Sequence, residues 1–146
     1  MFNNFGIVLS QINKLVGWCL SLFTKKRRLR RRLEALRVEI QKCASVAQTY
    51  RTAGIKPPNY DLPTRAYDEF YADLVSEIDI DEITQRLVED FYTNVRALNR
   101  GIINANEFHK QGNDKGLDEE WNRNQLKATH ILELYDDAVA SVTKMI

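Results

Sequence analysis

The sequence has few of the residues from which catalytic and metal sites are built. It contains two histidines and two cysteines, and His109, His130, Cys19 and Cys43 are widely separated, whereas a zinc site needs three or four such ligands at close spacing. A di-iron bundle needs Glu-x-x-His on two helices, but the chain has His130-x-x-Glu133 in the reverse order. Phosphate-binding glycine loops, nucleophile elbows and EF-hand loops are absent. We therefore expect no catalytic activity, no metal and no cofactor.

Strand and turn signals are also scarce. The three prolines all lie between positions 57 and 63, and no alternating polar and apolar pattern typical of a β-strand occurs. We predict an all-α fold with a long N-terminal helix over about residues 4–53. An antiparallel bundle of about three further helices is expected to follow, at 64–76, 79–104 and 118–144.

A heptad seam indicates that the long helix packs along its length against other helices. Apolar residues recur at steps of three and four. The register extends backwards through Leu22, Cys19, Leu15, Ile12 and Val8 and is broken only at Lys26. Cys19 and Cys43 would lie about 36 Å apart on this helix, so they cannot form a disulfide within the chain. The seam in the second half of the helix consists of Leu29, Leu33, Leu36, Ile40, Cys43, Ala47 and Tyr50.

The apolar stretch at residues 5–23 has the length of a membrane-spanning helix, about 28 Å against a hydrocarbon core of ~30 Å. Its polar positions share one narrow stripe, typical of the contacts that join membrane helices. Lys14 would need a partner helix, a wet cavity or water. A transmembrane anchor is favoured, with an interfacial helix and a buried helix of a soluble bundle as alternatives. The stripe predicted to mediate helix association is Gly6, Ser10, Asn13, Lys14, Gly17 and Ser21.

A basic cluster follows this stretch. Residues 1–37 carry a formal charge of +8 and residues 38–146 a charge of −7. Such a cluster after a spanning helix anchors that end in the cytoplasm and attracts anionic lipid headgroups. Nucleic-acid binding is the weaker alternative, because no aromatic residue interrupts the cluster and the rest of the chain is acidic. The predicted lipid-contact residues are Trp18, Lys25, Lys26, Arg27, Arg28, Arg30, Arg31 and Arg32.

The order of these segments resembles a protein class. An apolar N-terminal helix, a basic exit, a long helix, "LPTRAY" after a proline-rich loop and then "YTNVRALNRGI" are similar to a loose class of uncharacterised bacterial single-pass membrane proteins with a cytoplasmic helical domain. The resemblance implies a topology and possible prokaryotic origin, and it implies no activity.

The sequence thus predicts two parts, a membrane-targeting helix with a basic exit at 1–32 and a helical domain at 33–146. The expected location is the inner or plasma membrane, with the C-terminal domain in the cytoplasm. The expected function is that of a membrane-anchored interaction or scaffold protein that binds a protein partner or itself. The alternatives are an oligomeric pore-forming or holin-like effector, and a soluble helical protein that binds nucleic acid.

Overall fold

The computed structural model describes residues 3–52 and 59–146, with side chains from residue 11 onward. Within these ranges the chain forms four helices and no strand. They are α1 (Asn3–Arg51), α2 (Arg65–Glu77), α3 (Glu82–Lys110) and α4 (Asp114–Met145). The all-α prediction is therefore confirmed for the described residues.

Consecutive helices run in opposite directions. Tyr50 near the end of α1 lies beside Trp121 near the start of α4, with ring centroids 6.1 Å apart, whereas the last residue, Ile146, lies beside Arg30. The start of α2 contacts Glu39, and its last residue, Glu77, contacts Arg28. The ends of α2 and α4 and the beginning of α3 consequently lie at one end of the bundle, beside residues 25–37 of α1.

The predicted seam forms the core face of α1. Its residues from Leu33 to Tyr50 are buried, and Leu29 packs partly against the core. Ile83, in the first turn of α3, is 74% exposed. Asp81 caps α3 by accepting a hydrogen bond from the backbone N–H of Thr84, so the helix begins later than predicted. The buried positions of α3 then follow the register of Thr84, Val88, Phe91, Tyr92, Val95, Leu98, Gly101, Ile102 and Ala105.

A buried carboxylate joins three helices. Glu39 of α1 is 6% exposed, and its oxygens accept hydrogen bonds from the backbone N–H groups of Ala66 and Tyr67 at 2.7 and 3.0 Å. The hydroxyl of Tyr92 on α3 donates to the same carboxylate at 2.8 Å. Burial and the Glu39 charge raise the pKa of the Tyr92 hydroxyl far above its ordinary value, so this group remains a donor. Glu39 therefore caps α2, because Thr64 at the N-cap makes no side-chain cap bond.

Two asparagines on α3 hold the segment that leads into α2. The Asn99 side chain accepts from the backbone N–H of Leu62 and donates to its carbonyl. Asn106, two turns further along, makes the same pair of bonds with the backbone of Asn59. These hydrogen bonds pair backbone groups of Asn59 and Leu62 that no helix or strand pairs. They hold the segment before α2 along α3.

The predicted membrane-spanning segment is not supported. Among the described residues, no helix is long and apolar enough to cross a membrane. The physical reason is the composition of α1, in which Gln11, Asn13 and Lys14 interrupt the apolar stretch and the basic residues begin at Lys25. Length alone had favoured a span. The predictions of a single-pass topology and of a membrane location with a cytoplasmic C-terminal domain are therefore wrong.

We expect Glu39→Gln to destabilise the bundle. The amide retains one acceptor oxygen where the carboxylate offers two, so a buried donor loses its partner at a cost of about 1–3 kcal/mol. Urea unfolding followed by circular dichroism measures this free energy. Glu133→Gln is the matched control, since Glu133 is exposed on α4 and its replacement is expected to change the free energy of unfolding by less than about 0.5 kcal/mol. Equal stability of the two variants would contradict the capping role.

We also expect Gly101→Ala to destabilise the contact between α3 and α4. A Cβ atom at Gly101 would lie 1.8 Å from Oδ1 of Asn124, which is itself buried. Either the Asn124 side chain or the helices must therefore shift, at a cost of about 1–3 kcal/mol. Gly17→Ala is the control, because nothing lies within 4 Å of its Cβ position. Thermal unfolding should show a lower midpoint for the Gly101 variant alone, and addition of Asn124→Ala should restore part of the loss.

Candidate functional site

The N-terminal part of α1 projects beyond the bundle. We call residues 3–24 the arm; at ~1.5 Å per residue it is about 33 Å long. Every described side chain from residue 11 to 28 is exposed, including Trp18 at 61% and Phe23 at 74%. The large apolar side chains exposed on the arm are Ile12, Leu15, Val16, Trp18, Leu20, Leu22 and Phe23. Such a concentration of exposed apolar surface marks an interaction site.

One face of the arm continues the core face of the bundle. Leu15 and Leu22 stand at seven-residue steps before Leu29 and Leu36. Each step turns the direction from the helix axis by about 20°, so all four side chains lie within about 60° of one another. Leu36 is fully buried, whereas Leu22 and Leu15 are 46% and 61% exposed. We call Leu15, Trp18 and Leu22 the inner face, because it lies on the side where the bundle covers α1 further along.

The other two faces of the arm differ from the inner face. Ile12, Val16, Leu20 and Phe23 form an apolar outer face, about 120° around the helix from the inner face. The predicted association stripe is the third face.

The described residues of the predicted association stripe are exposed to solvent. Lys14, Asn13, Gly17 and Ser21 share this third face and are exposed, and Gly17 has no neighbour within 4 Å of its Cβ position. The Ser21 hydroxyl donates to the carbonyl of Trp18 on its own helix. The side chains of Gly6 and Ser10 lie outside the described residues. Association through this stripe stays a prediction, since it contacts no other element.

The basic cluster, Lys25 to Arg32, meets the end of α2. Glu77 lies 3.9 Å from Lys25, 3.3 Å from Arg28 and 3.4 Å from Arg32. Asp73 lies 3.6 Å from Arg32. These two carboxylates contact three of the seven bases. Among the described residues, no ion pair involves Lys26, Arg27, Arg30 or Arg31. Contact with lipid headgroups through the cluster and Trp18 stays a prediction.

An open groove beside the cluster contains aromatic rings that the sequence did not reveal. Phe23 and Phe70 line it together with Arg27, Arg28, Arg31 and Arg32. The guanidinium of Arg32 lies 5.4 Å from the centre of the Phe70 ring. Because Phe70 and Glu77 belong to α2, their position beside the cluster follows from packing and leaves no signal in the local sequence.

The residues considered as metal ligands or catalytic groups lie apart from one another. In the described part of the chain, no group of three His, Cys, Asp or Glu side chains could hold a metal ion. His130 Nδ1 lies 2.9 Å from Glu133, and both side chains are exposed on α4. Cys43 is buried and its thiol donates to the carbonyl of Pro63. Burial, with a smaller effect of the Glu39 charge, raises the pKa of this thiol to about 12, which makes it a poor nucleophile at neutral pH.

No family model, curated protein or solved structure matches the chain.

We expect the Cys43 thiol to be unreactive in the folded protein. In a Cys19→Ser variant, which retains Cys43 alone, a thiol reagent such as dithionitrobenzoate at pH 8 should modify almost no cysteine in buffer and one equivalent in denaturant. The pKa of about 12 leaves almost no thiolate at pH 8, and burial blocks access. Rapid modification under native conditions would show that the α1 core face opens at Cys43.

Proposed function

We propose that the chain is a self-associating helical scaffold without catalytic activity, in which copies join through the inner faces of their arms. The observation that carries this proposal is that the heptad seam of the buried core resumes on the exposed arm after a single break at Lys26. Leu29 and Leu36 are covered by the bundle, while Leu15 and Leu22 at equivalent heptad positions have no cover. A seam of this spacing fits the face of another helix.

The shape around the inner face favours a rod-shaped partner over a flat surface. The inner face points to the side on which α2, α3 and α4 lie, and the ends of these helices stand at the base of the arm. A planar surface laid against Leu15 and Leu22 would meet the bundle ends, whereas a helix about 10 Å wide can lie along the arm before it reaches them.

Hydration of the third face agrees with this arrangement. Lys14 and Asn13 lie away from the inner face and are exposed. When two arms pack in water, these polar groups keep their hydration. In hydrocarbon the lysine alone would cost about 2.5–3.5 kcal/mol on insertion scales.

The proposed partner of each arm is the arm of a second copy of the same chain. Its arm has the same length and the same seam. Burial of a fully exposed leucine contributes roughly 1.5–3 kcal/mol. Leu15, Trp18 and Leu22 are 46–61% exposed on each arm, so six such side chains contribute roughly 5–10 kcal/mol, which is comparable with an association cost estimated at about 4–15 kcal/mol. The outer face allows the arm to contact a further helix, so that dimers or tetramers fit the proposal. Pore formation and nucleic-acid binding stay untested predictions.

The proposal predicts concentration-dependent self-association that depends on the inner face. Light scattering coupled to size-exclusion chromatography should show the wild type as a dimer or tetramer. Leu15→Asp and Leu22→Asp should each weaken association by about a hundredfold or more, because the loss of one leucine from each of two copies removes about 3 kcal/mol.

Leu126→Asp is the matched control. Leu126 is 65% exposed on α4, far along the bundle from the arm, so this variant should associate like the wild type. A monomeric wild type would overturn the proposal, and so would equal association of all three variants. Flotation with vesicles of anionic phospholipid completes the test: a chain that is monomeric alone and floats with vesicles through Leu15 and Leu22 uses its arm for lipid instead.

A further inference from the structure

We infer that the open groove between α1 and α2, on the side of α1 that faces away from the core, binds an acidic segment of another protein. In that segment, carboxylates flank a large apolar side chain. We call the site the arginine groove; its volume is about 780 Å³. Its walls are Phe23 and Phe70, and its rim is Arg27, Arg28, Arg31 and Arg32.

Two of the four rim arginines carry charges that no described acid contacts. Arg28 lies 3.3 Å from Glu77, and Arg32 lies 3.4 Å from the same carboxylate. Among the described residues, Arg27 and Arg31 form no ion pair, and both are exposed. They stand four residues apart on one side of α1, about 6 Å apart along its axis. The groove therefore presents two free cations to an anionic ligand.

The walls of the groove are aromatic. Phe23 on the arm is 74% exposed, and Phe70 on α2 is only partly buried against the core. The guanidinium of Arg32 lies 5.4 Å from the centre of the Phe70 ring, within the range of a cation–π contact. A small anion alone would leave the apolar surface of the walls in water, whereas a ligand with an apolar side chain removes it from water. The groove thus favours a ligand that combines negative charge with an apolar group.

A protein segment fits this combination better than a nucleic acid does. Affinity for a polyanion rises with the number of phosphates that are neutralised, and only Arg27 and Arg31 on the rim are not paired with acids. Stacking of bases needs an open ring face, and one face of Phe70 lies beneath Arg32. Acidic residues beside a leucine or an aromatic residue supply carboxylates and an apolar group together. Arginine also pairs with carboxylates in a bidentate geometry.

The arginine groove and the inner face lie on opposite sides of α1. At 100° per residue, Arg27 and Arg31 are about 140–180° around the helix from Leu22. A segment bound in the groove therefore leaves the inner face free. The inference does not depend on self-association. If copies do associate as proposed, the assembly presents the groove more than once and binds a multivalent acidic partner more tightly.

The experiment uses a fluorescein-labelled peptide, Gly-Glu-Glu-Leu-Phe-Glu-Glu-Gly, as the probe. Fluorescence anisotropy follows its binding at about 0.15 M salt, where charges more than ~8 Å apart are largely screened. Two comparison peptides replace either every glutamate by glutamine or the leucine and phenylalanine by serine. We expect the probe to bind at least tenfold more tightly than either comparison peptide, because each of these keeps only one of the two features that the groove recognises.

Two variants with the same change in charge separate the groove from general attraction to the basic cluster. Arg27→Gln/Arg31→Gln removes the two free charges of the groove and should weaken binding about tenfold. Lys26→Gln/Arg30→Gln removes two charges that do not line the groove and should weaken binding less than about twofold. Phe23→Ser should also weaken binding. Its thermal unfolding should match that of the wild type, because Phe23 is exposed.

The other results overturn the inference. Failure of the probe to bind at millimolar concentration does so, and so does unchanged binding by Phe23→Ser. Equal losses in the two charge variants indicate attraction to the cluster as a whole. If oligothymidylate or vesicles of anionic phospholipid displace the probe at a lower concentration than the unlabelled peptide does, the groove serves a nucleic acid or lipid headgroups instead. Self-association is measured separately by light scattering, so its failure is distinguishable from each of these results.

Discussion

The buried carboxylate of Glu39 is the contact on which the arrangement of the helices depends. It lies on α1, caps the start of α2 by accepting hydrogen bonds from two of its first backbone N–H groups, and accepts a hydrogen bond from the hydroxyl of Tyr92 on α3. A carboxylate at a helix N-terminus also meets the positive end of the helix dipole, which helps to explain how a charge is buried there. Removal of this group would leave three buried donors without an acceptor, so the position of α2 along α1 is fixed at this point.

The position of α2 in turn determines where the bundle stops. From its start beside Glu39, α2 runs towards the arm and ends at Glu77, where it contacts three bases of the cluster. The exposed ion pairs there contribute little each, so the core and the Glu39 contact place α2 and the bases then adapt to its last turn. Beyond this level α1 has no neighbour among the described residues, and its seam becomes an exposed inner face. The base of the arm is thus a consequence of a cap located about four turns further along α1.

The sequence predicted what depends on periodicity and missed what depends on packing between distant segments. The seam from Leu33 to Tyr50 was recognised because burial recurs at heptad steps. Glu39 lies between seam positions and gave no signal, because a charged residue there is normally solvated. The apolar segment was interpreted as a membrane span from its length, whereas among the described residues no helix is long and apolar enough to cross a membrane. Phe70 and Glu77 approach the basic cluster from 38 or more positions away in the chain.

The continuity of α1 has a further energetic consequence for the arm. An isolated helix of this length is marginal in water because the first turn is costly to form. Here the bundle supplies the formed turns, so the arm extends an existing helix and each residue adds a hydrogen bond without a new nucleus. A binding surface that is already helical loses less conformational entropy when a partner docks. The buried half of the seam therefore does more than hold the bundle together: it keeps the exposed half in the conformation that a second arm would recognise.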